Sequence, residues 1–388
     1  MEFLKNNVSA PKGFKALGKA VGIKNSNNLD FAVIFSETKA ETAAVYTKNK
    51  VKGAPLIVTK EHLKDNQAQA IAINSGISNV ATGKKGIEDA KKIAKETASE
   101  LSIKTEDVLV ASTGLIGAYL PMERILKGIK GINNELTSNG SNAAKAILTT
   151  DLVKKEIAVK VDNFTIGAIA KGSGMIHPNM ATMLCFITTD AKLSSKKLQS
   201  FLKNSVNKSF NMASVDMDTS TSDMAIAMAN GLAGSADEKK FQEALDYVCV
   251  DLAKKIAKDG EGATKLIEVE AKNSKTEEDA KKIAKSIINS NLVKCAMFGN
   301  NPNWGRIICA IGNSEADFKE NSIDIYFGEE KIVENGVTAG FDYKKVKEIM
   351  KKDELKIIID LKNGKESATA FGCDMTLDYI KINALYTT

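Results

Sequence analysis

The residues best placed to do chemistry lie in Lys171–Leu184, which reads KGSGMIHPNMATML. Thr182 directly follows the small residue Ala181 there. If the bond between them is cut, Thr182 becomes an N-terminus that carries a hydroxyl nucleophile and an α-amine base in one residue. An α-amine has a pKa of about 7.7–8.0, so part of it is unprotonated near neutral pH. The pair therefore predicts an N-terminal threonine nucleophile.

The same residue types can make the cut without a protease. The Thr182 hydroxyl attacks the Ala181 carbonyl carbon, and water hydrolyses the resulting ester; Ala181 obstructs this attack little. On periodicity alone, another interpretation stands beside this one. In that interpretation, Thr182 simply opens a buried strand, MLCFIT, because β-branched residues favour strands.

Fixed donors must accompany such a nucleophile, because acyl transfer passes through an oxyanion. Ser112-Thr113-Gly114 ends an apolar run, where a hydroxyl and a backbone N–H can converge. A turn glycine after a strand is the simpler interpretation of this triplet. Glu261, between two glycines in DGEGATK, and Lys171, before a glycine-rich turn, are otherwise typical of exposed turns.

Composition excludes several classes of function. The net charge of +6 is spread over lysine–glutamate helices, and only two arginines and 6% aromatic residues are present, so we expect no nucleic-acid partner. No apolar run reaches the roughly 20 residues of a membrane span, and the first residues, MEFLKNNVSAPKG, contain no long apolar stretch, so we expect no secretory signal. Two histidines and five scattered cysteines predict neither a metal site nor disulfides. These features predict a cytoplasmic protein without a metal.

Strands and helices alternate along the chain without regular strand–helix–strand units, which predicts an α+β layered fold rather than a doubly wound sheet. The predicted strands are 107–113, a hairpin of 156–161 and 164–170, 183–191, 265–272, 306–312 (RIICAIG), 322–327 and 356–361. The predicted helices are 88–101, 194–210, 237–260, 276–290 and 342–353. Thr276 and Asp279 form a capping-box pattern before the fourth of these helices.

Seven motifs, in this order, resemble a known family: ASTGLIGAYLPMERI, ILTTD, KGSGMIHPNMATML, SVDMDTSTSD, DGEGATKLIEV, FGNNPNWGRI and CDMTLDYIKINALYTT. They span almost the whole chain and resemble the self-processing ornithine acetyltransferases, the bifunctional glutamate N-acetyltransferase/amino-acid acetyltransferases of arginine biosynthesis. The resemblance implies a layered α/β sandwich of the type shared with self-processing aminopeptidases.

The resemblance also implies an activity. Thr182 would take the acetyl group of N2-acetyl-L-ornithine and pass it to L-glutamate, after self-cleavage between Ala181 and Thr182. The products of cleavage would be an α fragment, 1–181, and a β fragment, 182–388, assembled as two of each. No cofactor is implied. Some members accept acetyl-CoA as donor, and no short motif separates those members.

By resemblance, Thr113 and Gly114 form the oxyanion hole, and Lys171 binds a substrate carboxylate. The resemblance also implies that the TTD segment holds substrate, but it does not decide between Thr149 and Thr150. The remaining residues that face the substrate by resemblance are Glu261, suited to the ornithine amine, and Asn383 and Thr388 of the C-terminal tail.

The sequence also allows other interpretations. Asp216 and Asp218 in SVDMDTS resemble the nucleophile motif of haloacid-dehalogenase-type phosphatases, with Asp374 and Asp378 as metal carboxylates. A self-processing aminopeptidase and a non-enzymatic binding module are further alternatives.

Ser173 lacks the flanking glycines of a GxSxG elbow. His177 is a second candidate base, and Asn301 stands where the family commonly has an aspartate.

Overall fold

The computed structural model describes residues 1–5, 7–24, 27–177 and 183–385. Ala181, Thr182 and Thr388 lie outside the described residues, so the structure tests neither the predicted cut nor its two fragments.

Sixteen strands lie within the described ranges. In chain order they are β1 (Glu2–Phe3), β2 (Phe14–Lys19), β3 (Phe31–Tyr46), β4 (Gln67–Ile77), β5 (Val108–Leu115), β6 (Lys155–Val161), β7 (Phe164–Lys171), β8 (Leu184–Lys192), β9 (Ala213–Ser214), β10 (Met224–Ser235), β11 (Leu266–Ser274), β12 (Asp324–Phe327), β13 (Glu330–Glu334), β14 (Val337–Thr338), β15 (Glu354–Asp360) and β16 (Glu366–Cys373).

The same ranges contain eleven α-helices: α1 (Ala54–His62), α2 (Gly83–Leu101), α3 (Met122–Ile129), α4 (Ser141–Ala146), α5 (Ser195–Lys208), α6 (Glu238–Lys258), α7 (Glu277–Asn289), α8 (Asn291–Phe298), α9 (Trp304–Gly312), α10 (Tyr343–Met350) and α11 (Leu377–Leu385). The long α6 buries Phe241, Leu245, Val248, Leu252 and Ile256, a helical spacing that gives it one apolar stripe. None of the described helices has both the length and the apolar character needed to cross a bilayer.

The larger sheet has the order β1-β6-β7-β8-β10-β3-β4-β5, with β2 paired to the first part of β3. Its pairs are antiparallel except β8 with β10 and β4 with β5, which are parallel. Strand β8 therefore lies between β7 and β10 in the sheet. In the chain, β7 precedes residues 178–182, whereas β8 and β10 follow them.

One core joins the two halves of this sheet. Ile71 and Leu109 of β4 and β5 belong to the same buried cluster as Phe186 and Ile226 of β8 and β10, although β10, β3 and β4 separate β5 from β8. The sheet therefore doubles back on itself. Helices α5 and α6 cover the outside of the β8–β10 half, and α2 and α3 cover the outside of the β4–β5 half. This layering confirms the predicted α+β sandwich.

The smaller sheet has the order β14-β13-β12-β15-β11-β16-β9. Helices α7, α8, α9 and α10 contribute to its core. Leu266 of β11 and Phe371 of β16 also join the core beneath α6, so this helix links the two sheets.

The prediction of a strand at 306–312 is wrong, because this segment lies in helix α9. Ile307, Ala310 and Ile311 are buried, whereas Cys309 is exposed. In a strand, residues 307, 309 and 311 would share one face, so this burial pattern fits only the helical period. A short apolar run does not by itself separate a buried strand from a helix.

The other predicted elements are present, with ends shifted by a few residues. The hairpin β6–β7 turns at Asp162, which has a positive φ of 49°. Thr276 caps α7 by accepting a hydrogen bond from the Asp279 N–H at 3.1 Å, as its capping pattern predicted.

Candidate active site

One cavity brings together seven of the predicted site residues. It lies where β7 ends and β8 begins, a point at which Lys171 pairs with Leu184. The predicted residues that line it are Thr113, Gly114, Thr149, Thr150, Lys171, Glu261 and Asn383. The other three, Ala181, Thr182 and Thr388, lie outside the described residues. Met183, the residue bonded to Thr182, also lines the cavity.

Thr113 and Gly114 reach the cavity from the end of β5. Gly114 has a φ of +124°, a conformation that strongly favours glycine. A β-carbon at this position would also collide with the backbone of Gly76 on β4. The glycine therefore allows two parallel strands to approach closely at the point where β5 delivers the Thr113 hydroxyl.

Lys171 ends β7 and points toward Thr113. Its Nζ donates a hydrogen bond to the Thr113 hydroxyl oxygen at 3.3 Å, and both side chains are buried. Burial lowers the pKa of Lys171, an effect that the nearby charges of Asp151, Asp223 and Glu261 partly oppose. A buried lysine nitrogen thus donates to the hydroxyl predicted to stabilise an oxyanion.

A buried ion network lies behind the cavity. Lys155 Nζ lies 2.7 Å from an Asp151 carboxylate oxygen and 2.5 Å from an Asp259 carboxylate oxygen. The side chains of Lys155 and Asp151 are fully buried. Burial acts to raise the pKa of Asp151, but the charges of Lys155 and Lys171 and a hydrogen bond from Gly172 prevail and hold it at about 2.

This network fixes the backbone around the cavity. Asp151 accepts hydrogen bonds from the N–H of Gly172 at 2.6 Å and from the N–H of Thr149 at 3.1 Å. The Ser173 hydroxyl donates to the Asp259 carbonyl oxygen at 2.6 Å. The turn after Lys171, the Thr149 loop and the end of α6 are therefore tied to one buried lysine.

Glu261 and Asn383 meet in the wall of the cavity. The Asn383 amide donates to a Glu261 carboxylate oxygen at 2.8 Å, and the Glu261 N–H donates to the Ser173 carbonyl at 3.1 Å. The carboxylate lies against Gly174, where a β-carbon would collide with it. The glycine-rich turn thus makes room for a carboxylate in the cavity wall.

Thr149 and Thr150 occupy the loop that follows α4, and both line the cavity. The Ser75 hydroxyl of β4 fixes the start of this loop by donating to the Ala146 carbonyl at 2.5 Å. The structure brings both threonines to the site, so the choice between them stays open.

Several residues of the site were missed in the sequence. Asp223, directly before β10, is buried and lines the cavity. Its neighbour Met224 donates its N–H to the Met183 carbonyl at 3.1 Å, which places Asp223 beside the strand that Thr182 precedes. Asp223 falls in the quoted motif SVDMDTSTSD and Asp151 in ILTTD, so both motifs held a signal. Lys155 gave none, because its spacing resembles that of a surface lysine.

The residues of the competing hypotheses have other roles here. Both Asp216 carboxylate oxygens accept backbone hydrogen bonds, from Met175 at 2.6 Å and Ile176 at 2.9 Å. Asp374 accepts hydrogen bonds from the N–H groups of Thr264 and Lys265. No group of potential metal ligands occurs within the described ranges. The geometry therefore does not support the phosphatase hypothesis.

His177 and Ser173 do not act in the cavity as it is built. Burial and the charge of Lys285 lower the pKa of His177 to about 4, and its side chain lines a different cavity. The Ser173 hydroxyl is engaged with Asp259. Asn301 lies between α8 and α9, where its N–H donates to the Ala296 carbonyl at 2.9 Å.

Comparison with known proteins places this geometry in a family. The sequence profile of the ArgJ family matches residues 15–388. The arginine biosynthesis bifunctional protein ArgJ of Caldanaerobacter subterraneus is 51% identical over 404 residues, covering 100% of both chains. The protein called ArgJ 1 of Clostridium acetobutylicum is 48% identical, covering 98% of this chain and 97% of its own.

A solved structure gives the same result. The arginine biosynthesis bifunctional protein ArgJ of Bacillus halodurans superposes with a TM-score of 0.50 and 42% identity. The superposition covers 51% of this chain and 97% of that one. With a profile that matches nearly the whole sequence and full-length relatives at about half identity, this chain belongs to the ArgJ family.

Proposed function

We propose that this chain is an acetyltransferase of arginine biosynthesis that moves the acetyl group of N2-acetyl-L-ornithine to L-glutamate through an ester on Thr182. Membership of the ArgJ family carries the reaction class. One observation carries the mechanism. A single cavity is lined by Thr113, Gly114, Lys171 and Glu261, and also by Met183, which is bonded to Thr182.

The first half-reaction forms the ester. The Thr182 hydroxyl oxygen attacks the acetyl carbonyl carbon while the Thr182 α-amine takes its proton. The Thr113 hydroxyl and the Gly114 N–H stabilise the oxyanion. Collapse breaks the bond between the carbonyl carbon and the amide nitrogen. Ornithine leaves as the amine after receiving the proton from the Thr182 α-ammonium.

The second half-reaction reverses these steps with another amine. The α-amine of glutamate attacks the ester carbonyl, and the same two donors stabilise the second oxyanion. The Thr182 α-amine takes a proton from the attacking nitrogen and returns it to the Thr182 oxygen as the bond between that oxygen and the acetyl carbon breaks, and N-acetylglutamate leaves. One nucleophile and one oxyanion hole serve both steps, so ornithine must depart before glutamate reacts.

Charge complementarity supports the choice of substrate. Lys171 is a buried cation that can pair with the α-carboxylate shared by ornithine and glutamate. Glu261 offers a carboxylate to the side-chain ammonium of ornithine, and Asn383 orients that carboxylate at 2.8 Å. Thr149 or Thr150 supplies a hydroxyl from the neighbouring loop.

Maturation is part of this proposal. The Thr182 hydroxyl cuts the bond to Ala181 and leaves fragments 1–181 and 182–388, which assemble as two copies of each in the cytoplasm. The same oxyanion hole serves the cut, because self-cleavage passes through the same kind of oxyanion. The solved relative supports two fragments, since 97% of that chain aligns with only 51% of this one. No cofactor takes part; acetyl-CoA would enter only as an alternative donor.

A trapping experiment tests the nucleophile. Incubation of the protein with N2-acetyl-L-ornithine alone, followed by an acid quench, should add one acetyl mass to fragment 182–388 and none to 1–181. Initial rates at several fixed glutamate concentrations should give parallel double-reciprocal lines. Intersecting lines without trapped acetyl would contradict the ester and would favour direct transfer. Glutamate acetylation with acetyl-CoA as sole donor decides whether that donor is used.

A further inference from the structure

Lys24 contacts the loop that carries Thr149 and Thr150 from a distant part of the chain. Its Nζ donates one hydrogen bond to the Leu148 carbonyl oxygen at 2.8 Å and another to the Leu29 carbonyl oxygen at 2.9 Å. Leu148 lies 124 residues beyond Lys24 and directly precedes Thr149, whereas Leu29 lies just before β3. Lys24 therefore ties the start of the threonine loop to the segment that enters β3.

This contact completes the hydrogen bonding of one peptide group. The Leu148 carbonyl accepts from Lys24, and the N–H of the same peptide group, which belongs to Thr149, donates to an Asp151 carboxylate oxygen at 3.1 Å. A lysine nitrogen thus holds the oxygen of this group, and a carboxylate holds its nitrogen. Because a peptide group is planar, the two contacts together fix the plane that leads into Thr149.

The backbone of Lys24 is fixed as well. The fully buried Asp30 carboxylate accepts hydrogen bonds from the N–H groups of four consecutive residues, 21–24, at 2.6–3.1 Å. Ser75 connects Asp30 with the same loop, since its N–H donates to the Asp30 carbonyl at 2.9 Å and its hydroxyl donates to the Ala146 carbonyl. The Lys24 side chain therefore extends from a fixed position toward Leu148.

The stem of Lys24 lies close to the predicted oxyanion hole but outside the cavity. A β-carbon on Gly76 would lie 3.1 Å from Lys24 Cγ, and one on Gly114 would collide with the Gly76 backbone. Burial lowers the pKa of Lys24, an effect that the charges of Asp30 and Asp151 oppose. Lys24 does not occur among the described residues that line the cavity, so its effect on a substrate must pass through the loop.

We propose that Lys24 is a positioning residue for substrate binding, because it orients the peptide group from which Thr149 and Thr150 follow along the cavity wall. This inference rests on the proposed function, which supplies the reaction and its two substrates. Thr149 and Gly172 donate to the same Asp151 carboxylate, so the loop lies beside Lys171, the residue proposed to bind the α-carboxylate. Both substrates carry that carboxylate, so loss of Lys24 should weaken the binding of both.

Steady-state kinetics of Lys24→Met test this role. Methionine keeps most of the apolar stem and removes the donor, so KM should rise about tenfold for both substrates. The change in kcat should stay below about twofold, because the reacting groups remain in place. Lys15→Met, which breaks an exposed pair with Glu37, is the matched control and should change neither constant. Lys24→Arg, which keeps a charged donor, should recover part of the affinity.

Two further measurements separate positioning from a general structural defect. Cutting between Ala181 and Thr182 uses no substrate, so intact mass spectra should show Lys24→Met cut as completely as the unmodified protein. In a protein that already carries Thr149→Val and Thr150→Val, Lys24→Met should raise KM little further, because its effect passes through those residues. Lys24→Gln provides a second variant if Lys24→Met folds poorly.

The outcomes distinguish this role from the proposed function. An unmodified protein that does not move acetyl from N2-acetyl-L-ornithine to glutamate would contradict the function and this role together. An active unmodified protein with an unchanged KM in Lys24→Met would overturn the role of Lys24 alone. So would a parallel loss of cutting and kcat in that variant, or a fully additive increase of KM in the triple variant.

Discussion

Lys155 Nζ lies 2.5 Å from the Asp259 carboxylate although 104 residues separate the two in the chain. Lys155 begins β6, and Asp259 follows the last turn of α6. Asp259 also accepts the Leu152 N–H at 3.1 Å, while its own carbonyl accepts the Ser173 hydroxyl. The pair therefore connects three backbone segments near the cavity: the segment at Leu152, the turn at Ser173 that follows Lys171, and the end of α6 that precedes Glu261.

Removal of this lysine should destabilise the protein strongly. Lys155→Met leaves two buried carboxylates without their cation, a change that typically costs about 3–5 kcal/mol. Lys258→Met, which breaks the exposed pair with Glu354, is the control and should cost about 0–1 kcal/mol. Denaturant unfolding measures both, in a Thr182→Ala background so that each variant remains one chain. Similar costs for the two variants would contradict the role given to Lys155.

Acid should weaken the same network in a defined range of pH. The pKa of Asp151 falls from 3.8 to about 2 in the folded protein. A carboxyl group whose pKa is lower in the folded protein stabilises the fold at every pH above its pKa in the unfolded chain. This contribution is lost as the pH falls from about 4 to about 2. Asp151→Asn should therefore lower the free energy of unfolding at neutral pH and flatten its dependence on pH between these values. An unchanged slope in that variant would assign the acid sensitivity to other carboxylates.

Thr113 should act on the transition state more than on substrate binding. Loss of one oxyanion donor typically lowers the rate by roughly 10²–10³. Thr113→Val keeps the shape of the side chain and removes the hydroxyl, so kcat should fall with little change in KM. Cutting at Thr182 should slow in the same variant, because we propose one oxyanion hole for both reactions. A variant that cuts normally and only raises KM would move Thr113 to ground-state binding.

Glu261 should distinguish the two substrates. Glu261→Gln removes the charge that we propose faces the ornithine ammonium, so the KM for N2-acetyl-L-ornithine should rise by about tenfold or more. The KM for glutamate should rise far less, because its side chain is itself an anion. Glu354→Gln, at an exposed position, serves as the control and should change neither KM. Equal increases for both substrates would indicate a structural role for Glu261.

Intact mass spectrometry tests the cut itself. Freshly purified active protein should give two masses, 1–181 and 182–388, under denaturing conditions. Thr182→Ala should remain uncut and inactive because the attacking oxygen is gone, whereas Thr182→Ser should retain some of both activities. An alanine variant with normal turnover would place the nucleophile elsewhere in the chain.

Local patterns predicted most of the secondary structure. The β6–β7 hairpin and the cap of α7 depend on residues a few positions apart, and both are present. The short apolar run of α9 fits the period of a strand as well as that of a helix, so the sequence pattern predicts the wrong element there. Only the packing shows that Ile307 and Ile311 lie on the buried face while Cys309 lies on the exposed one. The doubling of the larger sheet has no local signature at all.

The residues of the candidate site fall into two groups: those that sequence motifs predict and those that only the folded chain brings together. Motifs identified the residues that face the cavity, because their types and order resemble those of a family. They did not predict Lys155 or Asp259 as partners, since that pairing exists only once α6 has packed beside β6. Asp223 lies within a motif, but the motif does not predict its place in the site, because its burial beside Met183 depends on the parallel pairing of β10 with β8.

The position of β8 has a consequence for recovery from denaturation. This strand and β10 would belong to fragment 182–388, yet β8 pairs with β7 and β10 pairs with β3, both from fragment 1–181. Once the bond at Thr182 is cut, a single sheet is shared by two polypeptides, and neither can complete it alone. An uncut chain refolds at a rate independent of dilution, whereas separated fragments must first meet. Cutting would thus turn a first-order folding reaction into a second-order one. Recovery of the mature protein after denaturation would then depend on the concentration of the two fragments.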